Sequence, residues 1–360
     1  MPDMVGTKDI RMRMGDGSLK WMTKEEVRAD VEAGMADAVD CAQVPALTED
    51  DLSRIVDIMC EKSRIVSVEP GEEVVLSADG GEQKILSDSG SSALGLEMSR
   101  TAAVQVTERM NSLDVCEIAY FDASSKAIKP VIGAEMVHCQ NALANTVSPL
   151  LYMFMPNIGL YYQPTGPFGN PPDLMREFKI DEAIEAGELA KDAMRDDIIY
   201  MGEKLMSVGM DGLDFDTSAS GGDIDFVGCL EAVEKMRQMV PNALIQLGMS
   251  AESVLGIHGM CEYAGKTVAG LYPHEQVKLA ETAGVSTFGP VVNTNTSRST
   301  AWNVARAVTM VKECSKVSNI PLQVNMGMGV GGTPMYEVPP ADAITRADKC
   351  MIEIAHVDGI

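Results

Sequence analysis

Short apolar runs alternate with longer helical segments from residue 112 onward, and this alternation limits the folds that the chain can adopt. Strands are predicted at 115–122, 147–156, 212–217, 242–250, 285–293, 320–327 and 352–360. Helices are predicted between them, near 133–145, 181–207, 224–239, 274–283, 301–317 and 340–350. Repeated strand–helix units are typical of a parallel sheet with helices outside it, because parallel strands need long crossover connections.

The number and order of these units favour an α/β fold of the (β/α)8 TIM-barrel type, with a doubly wound open sheet as the alternative. Seven strands are predicted where a closed barrel of this type has eight, and the last of them reaches Ile360. We therefore expect residues 112–360 to form an incomplete TIM barrel whose eighth βα unit is missing from this chain.

The first 111 residues lack this alternation and are predicted to form an N-terminal α+β extension or cap. Thr23 and Thr48 each precede an acidic first turn, a pattern that predicts short helices from about Lys24 and Glu49. Between residues 64 and 95, apolar and polar residues alternate between turns that contain Gly and Pro, which predicts strands.

Composition argues against several classes of function. Lys and Arg total 29 against 53 Asp and Glu, and a formal net charge of −24 argues against nucleic-acid binding. Eight dispersed cysteines without a Cys-x-x-Cys pair, and no signal-peptide pattern, predict a cytoplasmic protein without a Cys-based zinc site. The four histidines lack metal-ligand spacing, so we expect no metal. The apolar stretch 147–162 is broken by prolines and is shorter than a membrane span, so no membrane is expected.

Polar side chains follow the predicted strands at their carboxyl ends, where (β/α)8 barrels carry their active sites. Asp214 and Asp216 end one strand, whose two-residue period places both carboxylates on one face. Glu252 follows the next predicted strand. The later strands end in four further candidates: Asn293, Asn295, Asn325 and Asp358. For each of these residues, tying a loop to the barrel is as good an interpretation as a functional role.

Aromatic residues concentrate in the predicted loop 157–173, although they form only 5% of the chain. Tyr161, Tyr162 and Phe168 lie there among several prolines. One interpretation is a rigid lid that packs on the barrel mouth. The other, compatible with the first, is an aromatic wall for an alkylammonium ligand, which cation–π attraction would favour by about 0.5–2 kcal/mol.

The glycine run Gly327–Gly332 fits the G-x-G-x-x-G pattern of dinucleotide-binding proteins. In that pattern a helix opens at the third glycine and meets the pyrophosphate with its N-terminus. Here the segment 333–340 intervenes with three prolines before a helix can begin. The run therefore predicts a flexible active-site loop, and a nicotinamide-dependent oxidoreductase is the less favoured alternative.

Several segments resemble one protein family over almost the whole chain. They are MRMGDG near residue 12, PNIGLYYQPTGPF around Tyr161, GMDGLDFDT around Asp214, FGPVVNTNTS around Asn293, MGMGVGG at 326–332 and VDGI at 357–360. They are similar to the dimethylamine:corrinoid protein methyltransferases of methylotrophic methanogens. Their length and unusual composition make chance agreement remote.

The resemblance implies that pyrrolysine, encoded by an in-frame UAG codon, follows Ile360 directly and that more chain lies beyond it. The 360-residue form would then lack the catalytic residue and be inactive. The alternative for a chain that terminates at Ile360 is a non-catalytic barrel with a binding or regulatory role.

The resemblance also implies a reaction, in which a methyl group passes from dimethylamine to the Co(I) corrinoid of a separate corrinoid protein in methanogenesis from methylamines. Monomethylamine is released. The partner carries the corrinoid, and this chain is expected to bind no cofactor of its own. We also expect a homo-oligomer.

Dimethylamine is protonated at neutral pH, so a carboxylate must hold the cation and accept a proton before the nitrogen can attack the imine carbon of pyrrolysine. The candidate catalytic residues are, in order, Asp214, Asp216 and Glu252. The candidate substrate-binding residues are Tyr161, Tyr162, Asn293, Asn295, Asn325 and Asp358.

Overall fold

A parallel sheet is the central feature of the fold, seen in a computed structural model that describes residues 7–69, 72, 151–248, 250–256, 261–293, 296–326 and 340–360. The strands are β1 (Ile10–Arg13), β2 (Leu19–Met22), β3 (Leu151–Phe154), β4 (Gly212–Phe215), β5 (Leu244–Leu247), β6 (Glu262–Tyr263), β7 (Lys266–Thr267) and β8 (Thr287–Phe288). The helices are α1 (Lys24–Ala42), α2 (Glu49–Cys60), α3 (Pro171–Arg176), α4 (Ile180–Ser207), α5 (Asp223–Met239), α6 (Pro273–Ala283), α7 (Thr300–Val317) and α8 (Ala341–Cys350). The predicted strand 115–122, the predicted helix 133–145 and the boundary between the two predicted domains lie outside the described residues and stay predictions.

Sheet order and sequence order coincide in the described part of the sheet. β3, β4, β5 and β8 pair in parallel, each with the next. Parallel bridges continue the sheet from Phe288 to Leu322 and from Gln323 to Gly359. A doubly wound sheet reverses its order at a switch point, and the described strands contain no reversal. The α/β class is confirmed, whereas closure into a (β/α)8 barrel stays a prediction.

Helices α4 to α8 begin and end within one residue of the predicted positions, and α1 and α2 begin at the predicted residues. Local capping explains where α1 and α2 begin. The Thr23 hydroxyl accepts from the Glu26 N–H at 3.1 Å, and the Glu26 carboxylate accepts from the Thr23 N–H at 2.8 Å. Thr48 and Asp51 form the same reciprocal pair at α2. Both satisfy backbone groups that lack a partner within the helix.

Among the described residues, no helix is both long enough and apolar enough for a membrane crossing.

The last predicted strand, 352–360, is wrong over its first half. Met351–Ala355 form a π-helical turn that continues α8, and His356 ends this turn with a φ of 57°. Met351 and Ile354 are buried in the hydrophobic core beside α7. Apolar residues that the sequence pattern assigned to a strand are therefore buried by packing between helices.

Strands are also shorter than predicted elsewhere. The strand predicted at 320–327 is reduced to bridges at Leu322 and Gln323, and the strand predicted at 285–293 is reduced to β8. The described residues 64–69 form no strand. In the described part of the sheet, apolar composition thus predicted the position of each crossover correctly but overestimated how many residues pair.

The N-terminal elements share a hydrophobic core with the last helices. Val27 and Val31 of α1 lie in the same buried cluster as Val304 and Val308 of α7. The two helices approach closely at Gly34, where a Cβ atom would come within 2.1 Å of the Trp302 carbonyl oxygen. The described part of the extension therefore packs on the helical layer outside the sheet.

A second core lies between the sheet and helices α4 to α6. Leu213 and Phe215 of β4 are fully buried in it, together with Ile245 and Leu247 of β5. Because side chains alternate along a strand, Asp214 must project toward the opposite face of the sheet. This alternation directs the predicted catalytic side chains away from the helices.

Candidate active site

One row of residues crosses the carboxyl end of the sheet immediately after the paired strands. The backbone N–H of Gly248 donates to Phe215 O at 2.9 Å, Gly289 N–H to Leu247 O at 2.8 Å, and Gln323 N–H to Phe288 O at 3.1 Å. These bonds, together with the bridge between Gln323 and Gly359, fix the members of the row: Asp216, Gly248, Gly289, Gln323 and Gly359. Three of the five are glycines, so only Asp216 and Gln323 carry side chains in this row.

Asp214 precedes this row on β4, and its side chain extends to Gly248 in the row. Its side chain is buried, with 3% exposure, and Asp214 Oδ1 lies 3.2 Å from the position that a Cβ atom on Gly248 would take. The Gln246 amide nitrogen lies 3.5 Å from that position. The structure therefore brings the Asp214 carboxylate next to the glycine that neighbours Asp216 in the row.

Asp216 is the most chemically unusual of the candidates. It is 6% exposed, and its Oδ1 atom has no hydrogen-bond partner among the described residues. Burial raises the pKa of this carboxyl, and a hydrogen bond with the Thr217 backbone offsets part of that effect. Thr217 starts the next turn with a φ of 53°. A buried carboxylate oxygen without a donor can accept a hydrogen bond from a cationic ligand and then take its proton.

Glu252 is held in an ion pair. Arg306 of α7 donates from Nη1 to Oε2 at 2.6 Å and from Nη2 to Oε1 at 2.7 Å. The Asn293 N–H also donates to this carboxylate, and Arg306 donates to the Asn293 carbonyl at 2.9 Å. Arg306 further pairs with Asp37 of α1 at 2.6 Å. Both Glu252 oxygens are thus occupied in a network that ties two sheet loops to α7 and α1, and a catalytic role for Glu252 stays a prediction.

Asp358 and Asn325 lie along the same edge. The Asp358 carboxylate accepts from the Leu322 N–H at 2.9 Å, and the Asp358 N–H donates to the Leu322 carbonyl at 3.0 Å. These bonds tie the last residues to the sheet. Asn325 is half-buried just beyond the Gln323 bridge. Asn295 and the glycine run 327–332 lie outside the described residues, and the binding roles of all these side chains stay predictions.

Tyr161 and Tyr162 belong to a loop that packs on the helices. The Tyr161 hydroxyl donates to Asp197 of α4 at 2.8 Å, and Tyr162 is buried in the core between the sheet and α4 to α6. Burial raises the pKa of both hydroxyls. Gly166 closes the loop, because a Cβ atom there would lie 2.1 Å from the Tyr161 carbonyl. These contacts hold the loop against α4, and both the lid on the barrel mouth and the aromatic wall stay predictions.

Two residues beside the predicted site have structural roles that the sequence analysis missed. Gly15, in the turn between β1 and β2, lies so close to the loop after β8 that a Cβ atom would come within 1.6 Å of Thr296 O. Its N–H donates to Arg298 O at 2.7 Å. The other residue is Arg306. The MRMGDG segment carried a signal for Gly15, whereas nothing in the local sequence connects Arg306 with Glu252.

Metal-binding geometry is not found in the described part of the chain. There, no group of three or more His, Cys, Asp or Glu side chains is placed to hold a metal ion. The two aspartates at the end of β4 can accept hydrogen bonds and protons.

A family model described as dimethylamine methyltransferase matches residues 8–360. The match takes in β1 and the Gly15 turn at one end and Asp358 at the other. It therefore covers every element that contributes a side chain or backbone group to the site.

Proposed function

The chain belongs to the dimethylamine methyltransferase family, and from this premise we propose that it transfers a methyl group from dimethylamine to the Co(I) corrinoid of a separate corrinoid protein. Monomethylamine is the second product, and the reaction serves methanogenesis from methylamines. The observation that carries the proposal is the buried Asp216 carboxyl, whose Oδ1 atom has no hydrogen-bond partner among the described residues.

The substrate is complementary in charge to this carboxyl. Protonated dimethylamine has two N–H donors and two small methyl groups, so it needs a carboxylate acceptor and an apolar space of small volume. Asp216 provides the acceptor, and Gly248, Gly289 and Gly359 provide a row without side chains next to it. A cation at this point would also offset the energetic cost of keeping the Asp216 carboxylate charged in a buried place.

Proton transfer is the step that we assign to the aspartates. Asp216 accepts one proton from dimethylammonium, which leaves a lone pair on nitrogen. Its burial raises the pKa of the carboxyl, and this makes Asp216 a better proton acceptor than an exposed aspartate. Asp214 lies beside Gly248 and is the second candidate for holding the cation. Glu252 is the weakest candidate, because Arg306 occupies both of its oxygens.

The position of the proposed electrophile rests on the family resemblance, from which we expect pyrrolysine directly after Ile360. When present, this residue supplies an electrophilic carbon for the amine nitrogen. Gly359 pairs with Gln323 in the row that contains Asp216, so a residue attached beyond Ile360 would leave the sheet at the edge where the aspartates lie. This agreement in position supports the assignment.

The corrinoid protein is the methyl acceptor in this proposal and carries its own cofactor. Its Co(I) takes the methyl group, the nitrogen keeps the bonding electron pair, and the proton held by Asp216 returns to the nitrogen, which leaves as monomethylamine. We further infer that the sheet closes into a (β/α)8 barrel, because the sequential order of its described strands is the order found in such barrels. The corrinoid protein would then dock over the carboxyl end of the barrel.

The test of this proposal is whether the reaction requires the corrinoid protein. Full-length protein is incubated with dimethylamine, with and without the reduced corrinoid protein, and monomethylamine is measured. We expect release only when the partner is present. Release of monomethylamine by the purified protein alone would overturn the proposal.

A further inference from the structure

A pocket of about 220 Å³ lies on the side of the molecule formed by the N-terminal elements. The β1–β2 hairpin, the segment that follows α2 and the first turn of α8 line it. The predicted catalytic aspartates do not contribute to it. The proposed methyl transfer therefore leaves this pocket without a role.

The pocket is positively charged on a strongly acidic protein. Five cationic side chains and three carboxylates line it, whereas the whole chain has a formal net charge of −24. Two of the three carboxylates are already paired, Asp342 with Arg13 at 2.9 Å and Asp9 with Lys62 at 3.0 Å. The lining thus has positive charge left over after its internal ion pairs are formed.

Arg346 contributes a buried positive charge to this surplus. It is 7% exposed, and its guanidinium donates to four backbone carbonyls, at distances of 2.6 to 3.2 Å. Among the described residues it makes no ion pair within 4 Å. Burial lowers the pKa of this group, and the nearby Asp342 and Glu61 carboxylates offset part of that effect. An anion in the pocket would offset more of it.

Arg11 and Arg64 supply the donors that an anion needs. Both line the pocket and both are exposed. Neither guanidinium makes a hydrogen bond or ion pair with the described residues. A guanidinium offers paired N–H donors that match the oxygens of a phosphate group.

An exposed aromatic side chain lies beside these donors. Arg11 lies directly opposite Trp21 in the β1–β2 register, and Trp21 is 57% exposed at the pocket.

We propose that this pocket binds the phosphate group of a small phosphorylated molecule. Arg11 and Arg64 hold the phosphate oxygens, and the Arg346 charge adds to the attraction. The volume limits the ligand to a small one, since pockets for drug-sized ligands occupy about 300–1,000 Å³. Trp21 offers a flat apolar surface on which a ring attached to the phosphate can stack.

Isothermal titration calorimetry of the full-length protein with inorganic phosphate and, separately, with adenosine monophosphate tests this proposal. We expect saturable binding of at least one of the two. The double variant Arg11→Ala/Arg64→Ala should bind at least tenfold more weakly. The matched control Arg176→Ala/Lys235→Ala removes the same charge from exposed side chains outside the pocket, and it should bind within about twofold of the wild type.

The two ligands separate the possible sources of the phosphate. Tighter binding of the nucleotide, lost in Trp21→Ala, would indicate a ligand with an aromatic ring. Equal binding of both, unaffected by Trp21→Ala, would indicate that the phosphate group alone is recognised. The proposal is overturned if neither ligand binds the wild type saturably. It is also overturned if the control pair loses as much affinity as the Arg11/Arg64 pair, because bulk charge would then explain the binding.

Discussion

Arg306 and Glu252 form a bidentate ion pair, with 2.6 Å between Nη1 and Oε2 and 2.7 Å between Nη2 and Oε1. Their side chains are 9% and 20% exposed, so the pair is largely shielded from water. The same guanidinium bonds Asp37 of α1 and the Asn293 carbonyl. One buried arginine therefore joins the N-terminal helices to two loops at the carboxyl edge of the sheet.

Replacing Arg306 by Met should destabilise the protein strongly. The change leaves the Glu252 carboxylate partly buried without its cation, and breaking a buried pair in this way costs about 3–5 kcal/mol. The free energy of unfolding measured with urea gives the cost. Arg28→Met is the control, since Arg28 pairs with Glu32 and Glu49 at the surface and should change the stability little. Equal losses in the two variants would show that the Arg306 network does not stabilise the fold.

Replacing Asp216 by Asn should stabilise the protein at neutral pH. Burial raises the pKa of Asp216 above its ordinary 3.8, so the folded protein holds this proton more tightly than the unfolded chain does. The resulting stabilisation is complete below the unfolded pKa and is lost as the pH rises through the folded pKa. Asn does not titrate. The variant should therefore exceed the wild type in stability at pH 7, and the difference should shrink toward pH 4.

Urea unfolding of both proteins between pH 4 and pH 8 measures this difference. Asp173→Asn is the control, because Asp173 has a 71% exposed side chain on the short helix α3. Its stability difference from the wild type should stay small across the range. A difference for Asp216→Asn that grows as the pH falls would contradict the assignment of a buried, proton-retaining carboxyl.

The same substitution should impair the reaction. In the full-length protein, Asp216→Asn should lower kcat/KM for dimethylamine by about 10² or more, the usual scale for a positioned acid–base group. Asp214→Asn is the companion variant and tests the second carboxylate of the pair. Steady-state methylation of the corrinoid protein gives both values. Wild-type turnover in both variants would remove the pair from the mechanism and leave Glu252 as the remaining candidate.

Gly15→Ala should disturb the contact between the β1–β2 turn and the loop after β8. An added Cβ would lie 1.6 Å from Thr296 O, so the turn or the loop must move. Overpacking of this kind costs about 1–3 kcal/mol. Thermal unfolding measures the loss, and Lys20→Ala, at an exposed position of β2, is the control. A Gly15→Ala protein as stable as the control would show that the contact is easily rearranged.

Features that depend on neighbouring residues could be predicted from the sequence. The start of α1 follows from Thr23 and Glu26, which satisfy each other's backbone groups across three positions. Asp214 and Asp216 were recognised as a pair because strand alternation is also local. The strand predicted from residue 352 is wrong over residues 352–355, because their apolar side chains suit a strand and a buried helix equally well, and only packing beside α7 decides between them.

Features that depend on distant residues could not be predicted. Arg306 and Glu252 are 54 positions apart, and Arg13 and Asp342 are 329 apart. No periodicity in the sequence connects such partners, because the fold alone brings them together. The Glu252 carboxylate was therefore proposed as a proton acceptor from its place after a strand, although its oxygens are engaged by Arg306.

The fate of the two methyl groups is the most direct test of the proposed reaction. Protein that carries the proposed pyrrolysine after Ile360, produced in a host that decodes UAG as this residue, is supplied with ¹³C-labelled dimethylamine and the reduced corrinoid protein, and NMR measures the label in each product. The proposal predicts one labelled methyl group on the corrinoid for each labelled monomethylamine released. Labelled monomethylamine without label on the corrinoid, or no consumption of dimethylamine with both proteins present, would contradict it.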